Sequence, residues 1–300
     1  MMSMSAILDF LGRLPHLPIS TEGRIVLSAL VISLATALGA LIRNRRLLRT
    51  PVDDEAGDMG AIFDNPSSIM PHVIELRNRV IASLIAIAVA TFLSAALTDR
   101  ILTLLAAPIG GVEALQAIRV TENVSVFFRV ALTVGIILAS PYVIAQLWIF
   151  IAAGLKPSER RLFYLLFPFA TVLFMSGVAF AYLVMLPVAV PFLTNFMGIT
   201  AKPTLDDYVK FVTNVLLWVG ASFELPMIVF VLAKLGIVNA GMLARNWRFA
   251  VVIIVIIAAV VTPTPDPINM GIMSAPLLGL YLLSIVLALV AQPKAKPKST

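Results

Sequence analysis

From Val80 onward the chain reads as long apolar runs separated by short polar breaks. It has neither the period-2 alternation of a half-buried strand nor the single apolar stripe of a surface helix. The runs are Val80–Leu97, Val126–Phe150, Leu162–Pro187, Phe211–Leu235, Phe249–Val261 and Ile268–Ala291. A helix needs about 20 residues to cross a ~30 Å hydrocarbon core, so these runs predict membrane spans. A membrane β-barrel would instead alternate over roughly ten-residue segments. The fifth run holds only thirteen residues before Thr262-Pro263-Thr264-Pro265 stops it. At 1.5 Å per residue it covers about 20 Å, so it must thin the bilayer or lean on its neighbours. The expected fold is an all-α, polytopic transmembrane helical bundle with six core spans.

A further apolar run, Ile25–Ile42, precedes them and is followed at once by Arg43, Arg45, Arg46 and Arg49. A cleavable signal peptide has its charge before the apolar run. This segment has the reverse and is predicted to be an additional N-terminal span. The expected organisation is an extension over 1–49 with its helix at 25–42, an acidic cytoplasmic linker over 50–69, a six-span domain over 70–292 and a basic cytoplasmic tail over 293–300. The linker carries Asp53, Asp54, Glu55, Asp58 and Asp64, a composition suited to a solvated segment.

Basic residues orient the body. One set of loops and ends collects Arg77, Arg79, Lys156, Arg160, Arg161, Lys234, Arg245, Arg248, Lys294, Lys296 and Lys298. The other has Arg100, Arg119, Arg129, Lys202 and Lys210. The positive-inside rule puts the first set, and both ends of the six-span body, in the cytoplasm. The net charge of +6 therefore reflects membrane topology, and no nucleic-acid partner is expected.

Composition narrows the chemistry. Hydrophobic residues make up 60% of the chain and charged ones 13%, where soluble domains carry about a quarter charged. There is no Cys, and the two His, His16 and His72, are far apart. No nucleophile–base motif, phosphate loop or metal-ligand spacing occurs. No cofactor, metal site or enzymatic activity is expected.

Three segments carry candidate function. Glu224, in Ala221-Ser222-Phe223-Glu224-Leu225-Pro226, lies mid-span. An ionisable group there costs about 2.5–3.5 kcal/mol on insertion scales, and such groups mark pathways or docking points. Pro226 removes a backbone donor and opens the helix to a kink. Pro71-His72-Val73-Ile74-Glu75-Leu76-Arg77-Asn78-Arg79 forms an amphipathic turn before the first core span. On spacing alone Glu75 and Arg79 are an i,i+4 surface pair worth ~0.3–0.5 kcal/mol. In Gln146–Arg161, Gly154 and Pro157 close one helix and Ser158 caps the next, with Glu159 in its first turn.

Taken in order, these segments resemble TatC, the core subunit of the twin-arginine protein translocase. The resemblance covers about residues 70–291. It rests on His72-Val73-Ile74-Glu75-Leu76-Arg77-Asn78-Arg79, Pro108, Glu122 seven residues before Arg129, and Ser140-Pro141. It continues through Gln146-Leu147-Trp148-Ile149-Phe150, Gly154-Leu155, Glu159-Arg160-Arg161 and Phe180-Ala181-Tyr182 with Pro187. Phe223-Glu224-Leu225-Pro226 and Thr262-Pro263-Thr264-Pro265-Asp266-Pro267 complete it.

The resemblance implies a receptor in the prokaryotic cytoplasmic membrane that binds Arg-Arg signal peptides of folded proteins. It implies assembly with the single-span partners TatA and TatB, several copies of the chain per complex, and export driven by the proton-motive force. Glu75 and Glu159 would receive the two arginines, Arg77 and Arg79 would position Glu75 or contact phospholipid, and Phe150 would line the receptor surface. Glu224 would engage partner helices within the bilayer. Pro108 and Glu122 would lie in the first external loop, among partner contacts and structural caps; Tyr182, Pro187 and Asp266 would be structural. Ala153, Met270, Leu282 and Val124 depart from the family's pattern. The changes at 270 and 282 weaken the case for polar partner contacts by the last span.

Two other classes fit less well. A proton-coupled transporter titrating Glu224 would want further intramembrane charges and a broken-helix pair. An intramembrane enzyme would need a nucleophile–base pair or a ligand set.

Overall fold

A computed structural model of the chain describes residues 69–153, 157–195, 202–261 and 267–291. The N-terminal run, the acidic linker and the basic tail lie outside the described residues. Among the described residues the regular elements are all helices, with one isolated parallel bridge between Gln116 and Thr204. In chain order the helices are α1 (Ile69–Ala95), α2 (Thr98–Ala106), α3 (Glu122–Ala153), α4 (Pro157–Phe180), α5 (Leu186–Thr194), α6 (Leu205–Ser222), α7 (Leu225–Lys234), α8 (Ala240–Arg245), α9 (Trp247–Val261) and α10 (Pro267–Ala291). Five stretches of the described residues are long and apolar enough to cross a membrane: Val73–Ala95, Glu122–Ile151, Phe167–Thr194, Leu205–Lys234 and Met273–Ala291. A sixth, Trp247–Ala259, is shorter. The chain is thus an all-α polytopic membrane protein with the six core runs in place.

The described residues form two compact units, one from those within 69–86 and 138–171 and one from those within 87–137 and 172–291. In the first, α3 buries Pro141, Ile144, Ala145, Trp148 and Ile149, the 3–4 spacing of one helix face. Val80, Ile81, Leu84 and Ile85 of α1 are exposed, as suits side chains whose solvent is lipid. The amphipathic turn before the first span is continuous with it, so α1 starts at Ile69. Pro157 opens α4, one residue ahead of the expected cap Ser158; the first helical position tolerates a missing N–H.

In the second unit the helix contacts are made by small residues and hydroxyls. A Cβ on Gly135 of α3 would fall 2.6 Å from Thr91 Cα of α1, so only glycine permits this approach. Ser94 seals the same crossing by donating to the Ala131 carbonyl at 2.6 Å. Gly177 of α4 and Gly220 of α6 meet similarly: a Cβ on Gly177 would sit 2.9 Å from Gly220 Cα. The α6 helix buries one broad face, Val209, Val212, Val215 and Val219 among its residues. Ala233, Ala240, Ala288 and Ala291 knit α7 and α8 to α10, and Ile254, Leu277 and Leu280 join α9 to α10.

Two elements differ from the expectation. The third core span does not stop at Pro187. A π-helical turn, Ala181–Met185, absorbs the missing N–H and the ring's clash with the preceding turn, and α5 carries the helix on to Thr194. The region after the first span also contains a helix, α2, which is not one of the long apolar runs. Its nine residues bear Thr98, Asp99 and Arg100 and are too few to span.

Candidate functional site

Glu75 sits two turns into α1, half-buried, and Arg79 lies one turn further on the same face. Arg79 Nε donates to Glu75 Oε1 at 3.0 Å, and Nη2 donates to the same oxygen. The other end of the guanidinium reaches α3, where Nη1 donates to Gln146 Oε1 at 3.2 Å. Ile74, Glu75, Asn78, Arg79 and Gln146 line an open concavity of about 430 Å³. Arg77 takes no part in this ion pair: it is exposed and donates to Asn78 Oδ1 at 3.3–3.4 Å. Phe150 lies four residues beyond Gln146 on α3 and is half-buried. The backbone of Glu159 lies in the first turn of α4; its side chain lies outside the described residues.

Glu224 occupies the break between α6 and α7. Pro226 supplies no N–H to the Ser222 carbonyl and its ring crowds that turn. The chain tightens there: Glu224 N–H donates to the Ala221 carbonyl at 3.1 Å, and the Glu224 carbonyl accepts from Met227 and Ile228 at 3.0 Å. Its side-chain Oε1 is buried without a hydrogen-bond partner among the described residues. Such an oxygen costs about 1–3 kcal/mol left alone, so this is a position where a donor from outside the chain would be welcome.

The segment between α2 and α3 is tied down from several sides. Pro108 sits in a 3₁₀ turn, Ala107–Ile109, after which Gly110 and Gly111 at φ +97° and +111° reverse the chain. Glu122 is the first residue of α3, is 6% exposed, and accepts from Ile118 N–H at 3.0 Å. The Tyr182 and Tyr208 hydroxyls donate to the Leu104 and Leu105 carbonyls, both at 2.8 Å, which caps the open end of α2. Gln116 ties this segment to the start of α6: Leu205 N–H donates to the Gln116 carbonyl at 2.9 Å, and Gln116 N–H donates to the Pro203 carbonyl at 3.3 Å. Asp266 lies outside the described residues. Among those described, no three His, Asp or Glu gather as a metal site.

Residues 71–276 match the family described as Sec-independent protein translocase protein (TatC). The chain belongs to the TatC family. It is 38% identical over 234 residues to the TatC of Carboxydothermus hydrogenoformans, covering 77% of this chain and 96% of that one. With the TatC of Deinococcus radiodurans it shares 37% over 231 residues, 74% and 86% of the two chains. The chloroplastic TATC of Pisum sativum is 34% identical over 274 residues, 83% of this chain and 77% of that relative. Among solved structures it resembles the crystal structure of the twin arginine translocase receptor TatC, with TM-score 0.66, 33% identity, and coverage of 73% of this chain and 99% of that one. The chain is therefore a multi-pass membrane component of a protein translocase.

Within this TatC-family chain, sequence reasoning missed Gln146 and Asn78 as neighbours of Glu75. A polar Gln in an apolar run was the available signal. It also missed the partner of Arg129. Arg129 Nε lies 4.0 Å from Asp206 Oδ1, and both atoms are otherwise buried without hydrogen bonds among the described residues.

Proposed function

We propose that this chain is the receptor subunit of the translocase, binding the Arg-Arg signal peptides of folded proteins at its cytoplasmic face through Glu75 and Glu159. The observation that carries the reading is the placement of Glu75, a half-buried carboxylate lining an open polar concavity instead of lying flat on the surface. A guanidinium offers such a carboxylate parallel N–H donors in a plane, which an ammonium does not. Arg79 orients Glu75, the exposed Arg77 meets lipid phosphate or the peptide, and Phe150 contributes an apolar wall. Glu224 is the docking point for the single-span partners TatA and TatB, since its unpartnered oxygen sits inside a span. Pro108, Glu122 and Asp266 hold external segments in shape. Several copies of the chain assemble in the plasma membrane, both ends of the six-span body are cytoplasmic, and the proton-motive force drives transport. The first 49 residues add a span outside the family core.

The test is crosslinking of a photoreactive Arg-Arg signal peptide to the membrane-embedded complex. Glu75→Ala and Glu159→Ala should each cut the adduct to near background. Undiminished crosslinking in both would sink the assignment. Co-purification of small single-span proteins, lost on Glu224→Ala, tests the docking role. A reporter fused at Met1 that is active only outside the cytoplasm tests the added span.

A further inference from the structure

We propose that Arg79 sets the preference of the Glu75 site for arginine over lysine, by cancelling the carboxylate's charge while leaving one of its oxygens open. The inference rests on the reading of Glu75 as an acceptor for the signal peptide.

The geometry is unusual for an arginine–carboxylate pair. A guanidinium commonly spans both oxygens of its partner with two parallel bonds. Here Arg79 Nε and Nη2 converge on Oε1 alone. Glu75 Oε2 receives no hydrogen bond among the described residues, although a carboxylate offers about four lone-pair sites. Gln146 accepts from Nη1 at 3.2 Å on the facing helix, so Arg79 is tethered at both ends with its donors turned away from the second oxygen. The residues that define this arrangement also line the concavity, which leaves room for an incoming side chain. Arg77 does not take the vacancy, being bonded to Asn78.

The consequence follows from charge and shape. Lysine and arginine carry the same unit charge, so a bare carboxylate attracts both by the same Coulomb term. The Glu75–Arg79 pair is neutral, and that shared term is largely removed. What remains are directional acceptors, Oε2 and the free lone pair of Gln146 Oε1. A planar guanidinium is weakly hydrated and can place several donors on them, whereas an ammonium must shed a tightly held water shell for fewer bonds. The repulsion of Arg79 is what offsets the attraction of Glu75 for every cation, so only one that adds hydrogen bonds is held. Specificity then arises from a built-in repulsion as much as from attraction.

The experiment measures binding of fluorescent Arg-Arg and Lys-Lys signal peptides to the full chain in lipid nanodiscs, at low and high salt. Arg79→Gln should raise Lys-Lys binding and narrow the Arg-Arg to Lys-Lys ratio by about fivefold, a change of about 1 kcal/mol. It should also steepen the salt dependence, because the site regains a net charge. Arg79→Lys, which keeps the charge, should retain most of the discrimination. A ratio and salt slope unchanged in Arg79→Gln, a parallel loss of both peptides, or Arg79→Lys behaving as Arg79→Gln would each overturn the proposal. Glu75→Ala in the same assay separates the two levels. If it leaves Arg-Arg binding intact, the reading of Glu75 itself fails. If it abolishes binding while Arg79→Gln leaves the ratio alone, only the present inference fails.

Discussion

The two carboxylates at the centre of this protein, Glu75 and Glu224, are built in opposite ways. Glu75 stands near a helix start, paired to Arg79 and, through it, to Gln146. Glu224 stands at a proline-induced break inside a span with a buried oxygen that nothing within the described residues satisfies. The first is a group made orderly by its neighbours and opened to a concavity. The second is a group whose cost is left standing. A carboxylate that is already satisfied can be selective, since a newcomer must offer better geometry than charge alone. A carboxylate left unsatisfied inside an apolar span favours any partner that brings a donor, so it suits helix docking. The difference lies in the surroundings, for the residue is the same.

The strongest way to break this comparison is to reverse both charges. Glu224→Arg should cost about 2.5–3.5 kcal/mol or more of stability in the membrane, because a fixed charge at a helix centre cannot be neutralised. It should show as loss of folded chain in SDS titrations. Glu75→Arg should leave the same titration within about 0.5 kcal/mol, an i,i+4 pair being worth little, while signal-peptide capture vanishes. Equal destabilisation by the two would mean that the sites are not distinct in kind.

A smaller effect sharpens the frame around Glu224. Gly177→Ala forces a methyl to 2.7 Å from Phe223 Cγ, one residue from Glu224, and to 2.9 Å from Gly220 Cα. Overpacking of this sort costs about 1–3 kcal/mol. Partner co-purification should fall with it while Arg-Arg peptide binding to the Glu75 site persists. Tyr208→Phe removes the hydroxyl that caps the Leu105 carbonyl and should cost about 1 kcal/mol in the same unfolding midpoint, without touching either carboxylate. Glu224→Gln is the mildest. It keeps size and a hydrogen-bonding oxygen, so stability should hold within about 1 kcal/mol, with partner binding the only readout that moves.

Parts of this were legible along the chain, and the reasons are physical. Hydrocarbon demands helices of a minimum apolar length, so the six runs from Val80 to Ala291 betrayed themselves without any tertiary knowledge. The short fifth run was visible for the same reason, and α9 ends at Val261 as expected. Pro226 announced a break beside Glu224, and the break is there. The third run was bounded at Pro187, but the helix continues to Thr194 through a π turn five residues long that accommodates the ring. Proline removes one bond, but whether the helix ends or bulges depends on what packs against it. The α2 helix was illegible because amphipathic, nine-residue helices are held by tertiary partners, here two tyrosine hydroxyls from distant segments.

The sequence by itself therefore determined the class of solvent, the number of core spans and the ordered motifs of the TatC family. These depend on local composition and spacing, which no packing can change. The tertiary structure alone decided which of the two carboxylates is satisfied. Arg79 was within reach of Glu75 on any helix, but Gln146, sixty-seven residues away, fixes how the guanidinium meets it. The lone oxygen of Glu224 and the glycine contacts at Gly135 and Gly177 depend likewise on which helix faces came together. Hydrogen-bond satisfaction is a property of three-dimensional neighbours, and spacing along the chain does not encode it.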